Sequence, residues 1–159
     1  MIILVSQLYS KLKTKNHSAY RLYYHLILST KYRHKCITGE MLERLEEVFK
    51  DLLIKWNSSL IEFGGEADHI HCLFESEPTV QLASLIKNLK SVSSRRIRQE
   101  YREHLKPYYW KPYFGNRAYC VISVGGRANT ETLLKYIENQ DEPARLKPTL
   151  TSDSPTLES

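Results

Sequence analysis

The order in which hydrophobic periodicities change along the chain leaves few folds open to it. AYRLYYHLILST, residues 19–30, is dense in aromatic and β-branched residues and predicts a strand. From Thr38 to about Asn57 the period changes: Met41, Leu42, Leu45, Val48, Phe49, Leu52, Leu53 and Trp56 recur at helical spacing, with Glu40 and Glu43 near the start where they favour the dipole. SLIEFGG (59–65) and ADHIHCLFE (67–75) are strand-like runs separated by little more than glycine, which predicts a hairpin that Pro78 ends. A long amphipathic helix is predicted from Thr79 to about His104, then an aromatic-rich loop KPYYWKPYFGNR (106–117), a strand AYCVISVGG (118–126) and a last helix from Glu131 to about Gln140.

Strand, helix, strand, strand, helix, strand, helix is an α+β order. It predicts a ferredoxin-like or RRM-like antiparallel sheet with helices on one face. At 159 residues the chain suits one domain, and it holds no internal repeat. We divide it into an N-terminal arm over 1–19, a domain over 20–143 and a Ser/Thr/Pro-rich flexible tail over 144–159. The opening MIILVSQLY lacks the flanks of a signal peptide, and no apolar run reaches membrane-spanning length, so the expected location is cytoplasmic with no membrane partner. Three scattered cysteines, Cys36, Cys72 and Cys120, suit neither a disulfide framework nor a zinc site.

Charge is segregated beneath a net +5. Residues 1–35 carry seven Lys or Arg and no acid, 36–78 three basic and ten acidic, 79–117 nine basic and two acidic, and 118–159 four basic and six acidic. Two basic segments point to a polyanionic partner, most readily nucleic acid. Lys31, Arg33, Lys87, Lys90, Arg95 and Arg98 are the candidate phosphate contacts, with aromatics of the 106–117 loop available for base stacking. A merely solvated helix face is the plain alternative.

Chemistry enters with His69 and His71, which at i and i+2 of a strand project from one face. On the last helix Tyr136 and Gln140 are four apart and also share a face. Two imidazoles and one amide oxygen would make a three-ligand site for a divalent metal with positions open to substrate, and Tyr136 would be the nucleophile beside it. Taken singly, each has a plain reading: polar positions on a solvated strand, one of eleven tyrosines on a helix surface, a solvated C-terminal glutamine.

His69-Ile70-His71 with Tyr136-Ile137-Glu138-Asn139-Gln140 resembles the single-tyrosine HUH transposases of the insertion-sequence 200/605 type. YYHLILSTKYRHK, LKSVSSRRIRQEY and WKPYFGNRAYCVISVGG extend the likeness over about residues 20–143. The resemblance implies a homodimer whose two sheets join and whose active sites are composite. It implies Mg²⁺ or Mn²⁺ on His69, His71 and Gln140, and attack by Tyr136 to give a 5′-phosphotyrosine link and a free 3′-hydroxyl. The DNA would be single-stranded, with hairpins at the element's ends, in a bacterial or archaeal host. Gly125 and Gly126 match the joint that lets the tyrosine helix dock on its own or its partner's histidines. Two other readings are a non-catalytic single-strand DNA- or RNA-binding module and a replication-initiator or relaxase-like nickase, the latter usually offering a third histidine.

Overall fold

A computed structural model describes residues 13–15 and 17–125. Among these, six strands and three α-helices are formed, with a short 3-10 turn at Lys31–Arg33: β1 (Lys13–Lys15), β2 (Ser18–Tyr20), β3 (Tyr23–Ser29), α1 (Gly39–Lys55), β4 (Ser58–Gly65), β5 (His69–Ser76), α2 (Leu82–Glu100), the short α3 (Arg102–Leu105) and β6 (Cys120–Val124). Strands β4-β5-β3-β6, in that order, make one antiparallel sheet, with α1 and α2 packed against each other on one face. The α+β expectation therefore holds.

Pleating decides which residues the helices cover. Tyr24, Leu26 and Leu28 of β3, and Ile70, Cys72 and Phe74 of β5, belong to the core beneath the helices, so the odd-numbered residues of both strands lie on the opposite face. Across from them α1 contributes Met41, Leu45, Val48, Phe49, Leu52 and Leu53, and α2 contributes Leu85, Ile86, Leu89 and Ile97. Thr38 caps α1 by accepting a hydrogen bond from the Met41 amide at 3.2 Å. At its other end Asn57 takes a left-handed φ of 51°, which stops the helix. Trp56 Nε1 donates to Asn88 Oδ1 at 3.1 Å, tying the end of α1 to the middle of α2.

Three boundaries differ from the sequence reading. The run 19–30 is not one strand: residues 18–20 turn back onto 13–15 as a separate ribbon, and β3 begins at Tyr23. All of that ribbon except Tyr20 lies in the segment expected to be a loose arm. Ion pairs from Lys13 to Glu75 and from Lys15 to Glu77, each 2.8 Å, fasten it to the end of β5, because its lysines meet the acids there. The long helix is shorter than 79–104 and breaks at Tyr101, whose φ of −117° and ψ of 31° are not helical.

Candidate active site

His69 and His71 stand on β5 as the i, i+2 spacing requires, on the sheet face turned away from α1 and α2. His69 is opposite Ser29 of β3, and His71 is opposite Ile27 on one side and Gly64 of β4 on the other. The glycine makes room for the ring: a Cβ at position 64 would lie 2.8 Å from His71 Nε2 and 2.9 Å from Cε1.

Asp68 orients the first histidine. Its Oδ1 is 2.8 Å from His69 Nδ1, while its Oδ2 accepts from Arg33 Nη2 at 3.0 Å and Nε at 3.3 Å. Burial would raise the Asp68 pKa, but the hydrogen bonds from His69 and Arg33 prevail and hold it below the usual carboxylate value. With Nδ1 so engaged, His69 keeps Nε2 for another partner. Arg33 reaches Asp68 from a turn in which Tyr32 and Arg33 both adopt left-handed φ, 59° and 55°. Such a conformation costs about 1 kcal/mol or more per residue. Neighbouring bonds hold the turn: Lys31 N donates to Phe114 O at 2.7 Å, Thr30 N to Asp68 O at 2.9 Å, and Thr30 Oγ1 to His34 O at 2.8 Å.

Burial lowers the His71 pKa, Glu62 partly opposing and His69 adding to the effect, so the ring is held neutral. Its Nδ1 is buried without a partner. His25 of β3 packs edge to face on it, ring centroids 5.6 Å apart, and is pushed down to about 4 by burial and then by His71. Two imidazoles on one face of β5, His69 aligned by a carboxylate, fit a divalent cation as ligands. Among the described residues no group of three or more His, Cys, Asp or Glu is placed to hold a metal. Tyr136, Gln140 and Gly126 lie outside the described residues, and Gly125 is exposed just after β6.

The candidate DNA contacts divide into two groups. Lys87 and Lys90 border a cleft of about 440 Å³ with Asn116, Arg117 and Tyr119, over an apolar floor that includes Leu28 and Ile70. Lys90 is already engaged there: it donates to the Arg117 carbonyl and its Nζ is 5.3 Å from the Tyr119 ring centroid. Arg95 and Arg98 line a separate groove of about 650 Å³ together with Arg102, Lys106, Trp110 and Lys111. Among the described residues no ion pair joins Arg95, Arg98 or Arg102 to an acid. Trp110 is 88% exposed, with Lys111 Nζ 4.6 Å from its ring centroid, a cation beside a stacking surface. Lys31 lies over the rings of Tyr32 and Tyr113, 5.2 Å from each centroid. Arg33 is held by Asp68. Sequence reasoning singled out neither Asp68 as the histidine's partner nor Trp110 individually. The aromatic count of the loop was the available signal for Trp110, and direct adjacency to His69 was the signal for Asp68.

Comparison with known proteins gives concordant matches. A family model for "Transposase IS200 like" matches residues 18–140. The chain is 32% identical over 123 residues to the ISDra2 transposase TnpA of Deinococcus radiodurans, covering 77% of this chain and 86% of that protein. It is 30% identical over 134 residues to the transposase for insertion sequence element IS200 of Salmonella typhimurium, covering 84% and 86%. A crystal structure of a candidate transposase from Deinococcus radiodurans R1 superposes with a TM-score of 0.70 at 29% identity, over 80% of this chain and 97% of that one. Among the described residues no helix is long and apolar enough to cross a membrane.

Proposed function

Because the chain belongs to the IS200-like transposase family, we propose that it cleaves and rejoins single-stranded DNA at hairpin-bearing element ends through a tyrosine-linked intermediate. His69, His71 and Gln140 would hold Mg²⁺ or Mn²⁺. When bound, such an ion supplies Lewis-acid polarisation of the scissile phosphodiester. Asp68 fixes the His69 ring, and Gly64 leaves the space the His71 ring occupies.

Tyr136 is the nucleophile. Its phenolic oxygen, losing its proton, attacks phosphorus; a Tyr–O–P bond forms as the P–O3′ bond breaks, and the departing oxygen takes up a proton to become a 3′-hydroxyl. The 5′-phosphotyrosine keeps the energy of a diester, so a 3′-hydroxyl can later attack it and restore a DNA strand. Gly125 and Gly126 would give the segment carrying Tyr136 its freedom to serve its own or a partner's histidines, in a homodimer whose sheets join. The basic residues of α2 and the 106–117 loop would take the phosphate backbone and stack bases.

The observation carrying this reading is the pair of imidazoles, His69 and His71, on one face of one strand, with Asp68 holding Nδ1 of the first. To test it, 5′- and 3′-labelled single strands carrying the element's end are incubated with the protein and Mg²⁺ or Mn²⁺ and resolved on denaturing gels. A metal-dependent adduct on the DNA 5′ end, absent in Tyr136→Phe and His69→Ala, is expected. Binding of single strands with no adduct from any end sequence would reduce the protein to a binding module.

A further inference from the structure

Two buried ring nitrogens on the histidine face have no hydrogen-bond partner, Nε2 of His25 and Nδ1 of His71. A buried polar group that has lost its water and gained no partner is destabilising. Here the two orphans belong to rings in edge-to-face contact, with centroids 5.6 Å apart and planes at 61°. A neutral imidazole has one N–H donor and one bare acceptor nitrogen, so the two deficits are complementary. The two nitrogens make no direct hydrogen bond, but if His71 carries its proton on Nδ1 and His25 leaves Nε2 bare, one enclosed water can accept from the first and donate to the second.

The register says which role His25 can take. His71 pairs across to Ile27 and His69 to Ser29, whereas His25 pairs with Leu73, so His25 stands on the side of His71 away from His69. It is placed to brace His71 from behind and not to join a ligand set lying between the two β5 histidines. Its cross-strand partners, Leu73 on β5 and Ile122 on β6, offer no polar side chain in place of His71.

Resting on the metal reading above, we propose that His25 is a positioning residue for His71, linked through one enclosed water to its Nδ1–H and so holding the tautomer whose Nε2 is free to bind a divalent cation. His25 then does for His71 what Asp68 does for His69, whose Nδ1 is anchored at 2.8 Å. One ligand is aligned by a carboxylate and the other, through the water, by a neutral imidazole. A group that hydrogen-bonds the far nitrogen of a ligating histidine changes metal affinity without touching the ion.

The test uses the full chain. In metal-free protein labelled with ¹⁵N-histidine, an imidazole ¹⁵N–¹H correlation spectrum should show His71 as the Nδ1–H tautomer; the Nε2–H tautomer overturns the proposal. In parallel, free Mn²⁺ is followed by electron paramagnetic resonance during titration of wild type, His25→Leu, His25→Gln and His71→Ala. His25→Leu should weaken Mn²⁺ binding by about 10–100-fold, with His25→Gln recovering most of the loss and the metal-free melting temperature of His25→Leu not falling. Wild-type affinity in His25→Leu, with binding lost in His71→Ala, would make His25 a packing residue and leave the metal reading intact. Wild type binding Mn²⁺ no better than His71→Ala would remove the metal reading and this proposal with it.

Discussion

Two adjacent glycines show how finely the site depends on single side chains. At Gly64 an added methyl would meet the far end of the His71 ring, at 2.8 Å, which can swing aside. At Gly65 it would meet the His69 carbonyl oxygen at 2.4 Å and the Ile70 Cα at 2.9 Å, backbone that cannot move without disturbing the β4–β5 ladder. Gly64→Ala should therefore leave the fold nearly as stable while displacing a ligand, lowering Mn²⁺ affinity by about tenfold. Gly65→Ala should instead destabilise by about 1–3 kcal/mol, as overpacking does. Urea unfolding and Mn²⁺ titration on the two variants separate these outcomes, and an unchanged affinity in Gly64→Ala would count against the placement of His71 in the metal site. Among single residues the His69–His71 pair was legible in the sequence, because strand alternation is local. Arg33 on Asp68 and His25 on His71 were hidden, since those contacts join residues far apart in the chain through a turn and a strand register.

Helix α1 is an element whose sequence nearly suffices. Thr38 at its cap, Glu40 in its first turn, six buried apolar residues at helical spacing and Asn57 beyond its end all agree. Phe49 is fully buried and meets Phe63 of β4 edge to face, centroids 5.3 Å apart. Truncating it should be severe: Phe49→Ala is expected to cost about 3–5 kcal/mol, against about 1 kcal/mol for Thr38→Ala. Thermal or urea denaturation checks both, and a loss at Thr38 as large as at Phe49 would mean that the cap, not the core, governs this helix. Strand and helix limits were less legible where tertiary contacts set them. Nothing local in the sequence makes 18–20 leave the strand that follows; the ribbon with 13–15 is anchored through Lys13 to Glu75 and Lys15 to Glu77, both distant in sequence.

Across the molecule, the segregated charge becomes a surface. The basic stretch 79–117 folds so that Arg95, Arg98 and Arg102 from the helices and Lys106, Lys111 and Trp110 from the loop line one groove. If single-stranded DNA occupies it, replacing Arg95, Arg98 and Arg102 by Gln should reduce the salt dependence of binding by about 0.7 for each phosphate no longer neutralised. Trp110→Ala should weaken binding by about 1–3 kcal/mol with little change in that slope, because stacking releases no counterions. Fluorescence anisotropy of a labelled oligonucleotide over a range of salt distinguishes the two, and unchanged slope in the triple variant would exclude the groove as a phosphate track.

Local periodicities are written in the chain itself: the order of strands and helices, the face shared by His69 and His71, and the concentration of positive charge in two segments. They are legible because backbone geometry repeats every 2 or 3.6 residues regardless of what lies across the fold. Which strand neighbours which is settled only on folding. It is the sheet order that sets β3 beside β5 with His25 against His71, and the folded path of the chain that brings the guanidinium from the turn at Lys31–Arg33 to Asp68. Such choices come from burying one face of the whole sheet under two helices at once, an energy that belongs to no single segment.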